Sequence, residues 1–413
     1  MAIELSNLTF TEQDDIVPAS GVEQIVNTGI ANTLAGEEII TGTAIRGIGP
    51  PGIYNTVYGL YNRGTLNTDD DNDIIMGICS EAEGNFNDEV NYFGFSNDKG
   101  IIDTGDGNDT IIGTNNITPY ITNGGSTFNS MGFWSYSGIV KTGNGDDILM
   151  GTGQTIGFSN YYSTLDTGNG NDMITGTGYV GVVNENAVST FNTGDGNDTI
   201  IGNGIRGAGI SNNGVMDTGE GHDIINGTNI ITDTDTGYLA GIGNYNNLTT
   251  GDGNDIITGI GGTGIYNSGV INTGNGEDFI IGQGSLDAID TGYVTFGIYN
   301  NGGVINMGDG NDSIIAHGGF ESGSNSSGAW YLGEGEDYIK GFGNGDFYGG
   351  NGNDTLELTP GTYTVGIWGE GDISVIFTKG TSLMITSEFE KLKAGSTIYD
   401  FTSLTAGQII TVA

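Results

Sequence analysis

The chain has 413 residues, including 79 glycines, five prolines and one cysteine; 51 acids against nine Lys and Arg give a net charge of −42. That charge disfavours nucleic acid and anionic membrane surfaces as partners. No apolar run is long enough to span a bilayer, and a lone Cys79 excludes an internal disulfide. Abundant glycine without a triplet period fits a turn-dense all-β chain.

Residues 1–26 read as an N-terminal cap or first strand. MAIELSNLTFTEQDD has neither a basic start nor an apolar run, so no conventional signal peptide is expected there. NTGIANTLAGEEIITG at 27–42 is a degenerate first coil with Glu38 where later coils carry Asp, and TDDDND at 68–73 has acids where glycines belong. A ten-residue motif then recurs, as TGDGNDTIIG at 104–113, TGNGNDMITG at 167–176 and TGDGNDIITG at 250–259. Its closing Asp is Asp109, Asp147, Asp172, Asp198, Asp223, Asp255, Asp278, Asp312 and Asp337, with Asp73 before and Asp354 after them. The underlying period is about 25 residues with insertions, the signature of stacked repeats.

The loop chemistry follows from its residue types. The glycines Gly105 and Gly107, Gly168 and Gly170, Gly194 and Gly196 admit positive φ and turn carbonyls inward. Gly219 and Gly221, Gly251 and Gly253, Gly274 and Gly276 do the same in later copies. Carbonyls plus a carboxylate, with no Cys or paired His, make a hard-oxygen site for which calcium is the expected ion. An EF-hand is excluded because DDDNDI at 69–74 lacks the turn glycine and any legible flanking helix. Turn preference explains a single Gly-Asn-Asp loop, but not a repeated series with the Asp always kept. Parallel stacking puts equivalent Asp residues roughly 4.8 Å apart, where each pair repels by about 3–4 kcal/mol at an effective dielectric near 20. A stacked column therefore calls for cations.

A second recurrence accompanies the loops: GLYN at 59–62, GFSN at 94–97 and 157–160, GISN at 209–212, GIYN at 264–267 and 297–300. Alternation puts Ile265, Asn267, Gly269, Ile271 and Thr273 on one face. An inward Asn once per coil resembles the asparagine ladders of β-helices, a structural device. A coil is then three short strands, around Gly-Ile-x-Asn, before Thr-Gly, and after Asp. Insertions fall mainly between the post-Asp strand and Gly-Ile-x-Asn and bring Tyr92, Phe93, Tyr120, Trp134, Tyr238 and Tyr293 to one edge. That edge is expected to be the working surface, with simple packing onto the solenoid as the competing reading.

From these loops a family resemblance emerges. They resemble the RTX nonapeptide GGxGxDxUx, and GGNGNDTLE at 349–357 matches it throughout. The resemblance implies calcium between successive turns, with the closing Asp residues as ligands and the loop glycines supplying carbonyls. Asp337, Asp346 and Asp354 look like tandem nonapeptides, while upstream the first Gly is usually Thr. Beyond 358, TYTVGIW, DISVIF, SLMITS and QIITV alternate as strands, and FEKLKAG at 389–395 reads as a short basic turn. The ending resembles the uncleaved type I secretion region of RTX exoproteins, which implies a secreted, extracellular or cell-surface location.

Catalytic constellations are scarce. His222 and His317 are the only histidines, so zinc sites and Cys–His pairs are not available. The whole reads as an all-β parallel β-solenoid, RTX-like β-roll or β-helix, with a small C-terminal β cap. Its parts are a cap at 1–26, repeats at 27–357 and a cap with secretion signal at 358–413. The expected role is a non-enzymatic calcium-binding layer, sheath, filament or matrix component, self-associating or adhesive. The alternative is a polysaccharide-acting β-helix enzyme or adhesin. Ice or mineral binding ranks third, since outward places after the Asp hold Thr, Ile, Asn, Met and Lys in no regular array.

Overall fold

The computed structural model describes residues 2–18, 23–45, 56–80, 91–117, 129–230, 240–284, 295–323, 328–369 and 374–413. Strands dominate these residues and no α-helix occurs among them, as period-2 alternation of β-branched residues between Gly-rich turns requires. The fold is a parallel β-solenoid. It divides into two compact units, Met1–Thr218 and Gly219–Ala413, with the boundary inside a TGEGHD loop. Each unit carries its own run of repeats.

In the first unit every complete coil gives one strand to each of three parallel sheets. An asparagine sheet begins with Ala2–Glu4 and Gln24–Asn27 and ends with Ile210–Asn212. A middle sheet of three-residue strands runs from Ile30–Asn32 to Val215–Asp217. An aspartate sheet runs from Ile16–Val17 to Thr199–Gly204. The three strands per coil expected from the two recurrences are therefore present, and residues 2–17 already belong to the stack.

Register advances one coil at a time, so like residues meet. Ile102, Val140, Leu165, Phe191 and Met216 pair in succession across the middle sheet, and all are essentially buried. On the asparagine sheet the rings of Phe95, Phe133 and Phe158 stack at centroid distances of 4.9 and 4.3 Å. Such pairs contribute about 0.5–1.5 kcal/mol beyond their area burial.

The asparagine ladder is present. Asn27 donates to Asn62 Oδ1 and Asn62 to Asn97 Oδ1, both at 2.8 Å, and Asn160, Asn184 and Asn212 continue it at 3.0 and 2.9 Å. Ser135 replaces one rung. Each Asn also serves a neighbouring strand, as Asn184 does by donating to the Val215 carbonyl at 2.9 Å. These buried amides satisfy backbone groups at the corner where the chain leaves one sheet for the next.

The glycine that ends most copies of the motif has a role that spacing alone does not disclose; one copy ends in Ala316. Gly151 of the aspartate sheet lies directly against Gly157 of the asparagine sheet, and a Cβ on Gly151 would collide with the Gly157 carbonyl. Two sheets meet there backbone to backbone, a contact only glycine allows. Cys79 packs with Ala44, Tyr92 and Ile117 as a small buried residue, its thiol donating to the Phe93 carbonyl at 2.9 Å; burial pushes it up to about 12.

The second unit repeats the plan from Ile224–Asn229, Ala240–Asn244 and Asn247–Thr249 onward, with Asn244, Asn267 and Asn300 in its ladder. Near the C-terminus the coil shortens to 17 residues between Asp337 and Asp354. The asparagine sheet shrinks there to a single bridge between Phe320 and Gly343. Pairing then turns antiparallel through Gly361–Trp368, Ser374–Lys379, Ser382–Ser387 and Ile409–Val412, forming the expected β cap. One expectation there is corrected. FEKLKAG is not simply a turn, because Lys391–Ala394 is a strand paired in parallel with Thr355–Leu358, and Leu392 is fully buried beyond Leu356.

Candidate functional site

The loops between the middle and aspartate sheets stack their closing Asp residues into one column per unit. In the first unit the backbone N–H groups of Glu38, Asp73, Asp109, Asp147 and Asp172 each donate to Oδ1 of the next coil's Asp at 2.7–2.9 Å. In the second, Asp223, Asp255, Asp278, Asp312 and Asp337 do the same at 2.8–2.9 Å. Asp354 then donates to Glu390 Oε2 at 2.7 Å. All of these Asp side chains are at most 1% exposed.

The second carboxylate oxygen is the unusual one. Oδ2 of Asp147, Asp172, Asp255, Asp278, Asp312, Asp337 and Asp354 is buried without a hydrogen-bond partner. The Thr that opens the loop is the natural donor, and Thr104 does donate to Asp109 Oδ2. In other coils the well-formed bond of that hydroxyl runs along the stack, Thr142 donating to the Thr167 carbonyl at 3.2 Å and Thr273 to the Met307 carbonyl at 2.8 Å. The same hydroxyls still lie beside Asp147 and Asp278 and, against the rise that burial causes, lower them slightly. At Asp312, Asp337 and Asp354 the opening residue is Met307, Leu332 or Gly349, with no hydroxyl at all.

Burial raises these acids, with neighbouring acids adding smaller upward pushes and hydrogen bonds pulling back. Asp172 and Asp337 are pushed up to about 6, Asp109, Asp255 and Asp354 to about 7, and Asp147 and Asp312 to about 8. Carboxylates so buried resist ionisation unless a positive partner accompanies them.

Loop glycines take the positive φ expected of them, 88° at Gly168 and 146° at Gly170. A Cβ on Gly168 would collide with the Gly143 carbonyl oxygen. Peptide oxygens thus lie between successive loops, beside the Asp column. The pairs Gly105 and Gly107, Gly194 and Gly196, Gly219 and Gly221, Gly251 and Gly253, and Gly274 and Gly276 share this conformation. In the first complete loop Asp69 and Asp71 adopt it too, at 69° and 143°, so that loop keeps the shape despite lacking glycine.

The outer loop positions form companion columns. Asn144 donates its side-chain and backbone N–H groups to Asp106 Oδ1, and Asn171 does the same to Asp146 Oδ1. His222 fills such a place, its Nδ1 accepting the Asn254 N–H at 2.7 Å. Among the described residues no three His, Cys, Asp or Glu side chains converge on one point. Any ion here would rest on two neighbouring rungs and peptide oxygens.

Asp346 falls outside the column. It sits half-buried on the middle-sheet strand Gly345–Gly352, paired with Ala329 and Ile385, because the shortened coil carries the chain from Asp337 straight to Asp354. Sequence reasoning missed Glu390 as the closing rung, having read its neighbourhood as a turn. Glu38 does occupy the first rung, where burial and the neighbouring Asp73 push its carboxyl up to about 8.

The insertion-edge aromatics divide. Tyr120, Tyr238 and Tyr293 lie outside the described residues. Tyr92 and Phe93 are buried and Trp134 half-buried, so these three pack down. Tyr58, Phe93, Trp134 and Tyr136 stack face to face at 5.5, 4.7 and 5.3 Å. No family model matches the chain, and no curated protein is detectably similar to it.

Proposed function

We propose that the chain is a calcium-stabilised, non-enzymatic β-solenoid that works outside the cell as a structural or surface component. The observation that carries this reading is the column of buried Asp carboxylates, in which Oδ2 of Asp312, Asp337 and Asp354 has no partner and no loop hydroxyl to supply one. A desolvated carboxylate needs either a proton or a cation. Bare oxygen donors favour a hard ion, and Ca²⁺ accepts six to eight oxygens in flexible geometry. The residues that would hold it are successive Asp rungs, such as Asp147 with Asp172 and Asp278 with Asp312, together with loop peptide oxygens at Gly143, Gly145, Gly168 and Gly170. Calcium would supply positive charge that lets the acids ionise while buried.

The resemblance of GGNGNDTLE at 349–357 to the RTX nonapeptide supports the same reading, as does the resemblance of the C-terminal region to a type I secretion signal. Extracellular calcium modules bind at ~10⁻⁴–10⁻³ M, above cytosolic levels, so folding would follow export. The test is an ion count by native mass spectrometry on the full chain. Wild type should hold several calcium ions per chain, and Asp172→Asn should hold fewer. A chain that takes up none in millimolar calcium rules the reading out. Export is tested by fusing residues 358–413 to a passenger, because simple truncation would also remove Phe401, Leu404 and Ile410 from the cap core.

A further inference from the structure

We infer that the outward face of the aspartate sheet in the first unit is a self-association surface that meets the same face of a second copy of this chain. Its central column is Thr41, Met76, Ile112, Met150, Thr175 and Ile201, in register one coil apart. The flanking columns, from Ile39 to Thr199 and from Thr43 to Asn203, hold only Ile, Thr, Met and one Asn. All these side chains are half-buried by one another and reach the surface. None is charged, in a chain of net charge −42.

The other sheets differ. The middle sheet's outward face carries Asp103, Lys141, Asp166 and Asp217 in one column, and the asparagine sheet pairs Arg63 with Asp98. Charge depletion is the compositional mark of an interface core, and patches of a few hundred Å² are near the limit that monomers leave bare.

Area and charge select the occupant. Six strands at ~4.8 Å by five residues at ~3.3 Å give roughly 500 Å². A face-to-face contact would then bury roughly 1,000 Å² in total, within the range of weak or transient association. The second unit adds a smaller uncharged face of its own around Ile256, Ile281 and Ile315. Two strongly acidic chains repel wherever acids line the surface, and this face is where contact meets least charge. A twofold arrangement needs only one patch on each copy.

This rests on the reading of the chain as an assembling surface component, and names the surface. The test is sedimentation equilibrium of the full chain in calcium, with folding checked by circular dichroism. Wild type should rise toward dimer mass with concentration, and more readily in high salt, which screens the net charge. Met150→Lys or Thr175→Lys should weaken association at least about tenfold through an unpaired buried charge, although each lowers the net negative charge. Thr190→Lys on the middle sheet should not weaken it. Thr175→Cys, with Cys79 buried, should give an oxidised dimer if the lysine variants misfold. Association that survives both lysine variants overturns the surface but leaves assembly standing. A wild type that stays monomeric overturns both the surface and the assembly reading, while calcium uptake is judged separately. Monomers that instead adsorb to a crystalline solid through these residues overturn self-association.

Discussion

At the scale of a residue, the chemistry centres on Asp Oδ1, which is bonded, and Oδ2, which at most rungs is not. The raised acids fix how stability without calcium depends on pH. A carboxyl held up to about 6–8 in the fold keeps a proton that the unfolded chain releases near 3.8. The folded state therefore binds more protons between those values, and stability falls as pH rises from about 4 through about 8. In chelator both β content and melting temperature should be lower at pH 8, where little fold remains, than at pH 5. Calcium should raise it strongly at pH 8 and little at pH 5. A chelated chain equally stable at both would mean that the column is not desolvated. The glycines make a second prediction. Gly168→Ala needs a left-handed alanine, about 1–2 kcal/mol, and drives its Cβ into the Gly143 carbonyl; denaturant unfolding should show a loss larger than that strain alone. Asn184→Ala breaks the ladder between Asn160 and Asn212 and should lose about 1–3 kcal/mol through buried groups left unpaired.

At the scale of an element, the coil is the unit, and much of it was legible in sequence. Two recurrences, Gly-Ile-x-Asn and Thr-Gly-x-Gly-x-Asp, gave three strands, an inward Asn and an Asp column, because period-2 alternation and turn chemistry are local. What stayed hidden depends on which coil lies next to which. Asp346 fits a nine-residue spacing yet stands on a strand, since the shortened coil skips most of the asparagine sheet. Glu390 closes the column from a segment whose two lysines read as a turn, but Lys393 and Lys340 both pair with Glu357, at 2.6 and 2.9 Å. The Gly151–Gly157 contact is likewise a meeting of two sheets. The phenylalanine stack allows an element-scale test: Phe133→Ala, between Phe95 and Phe158, should lose about 3–5 kcal/mol, measured by urea unfolding. A loss under 1 kcal/mol would mean the coils collapse around the gap.

At the scale of the whole molecule, the net charge of −42 and the buried acids point to one dependence. Each unit carries its own column, so the proposed calcium uptake would involve both. The outward charge is concentrated on the loops and two of the sheets, while the aspartate sheet of the first unit stays neutral outside. The most direct measurement is far-ultraviolet circular dichroism of the full chain at pH 7.5, first in excess chelator and then with millimolar calcium. If calcium holds the column together, the signal in chelator is largely unfolded and converts to β on adding calcium. An unchanged β signal that resists melting in chelator would contradict that reading.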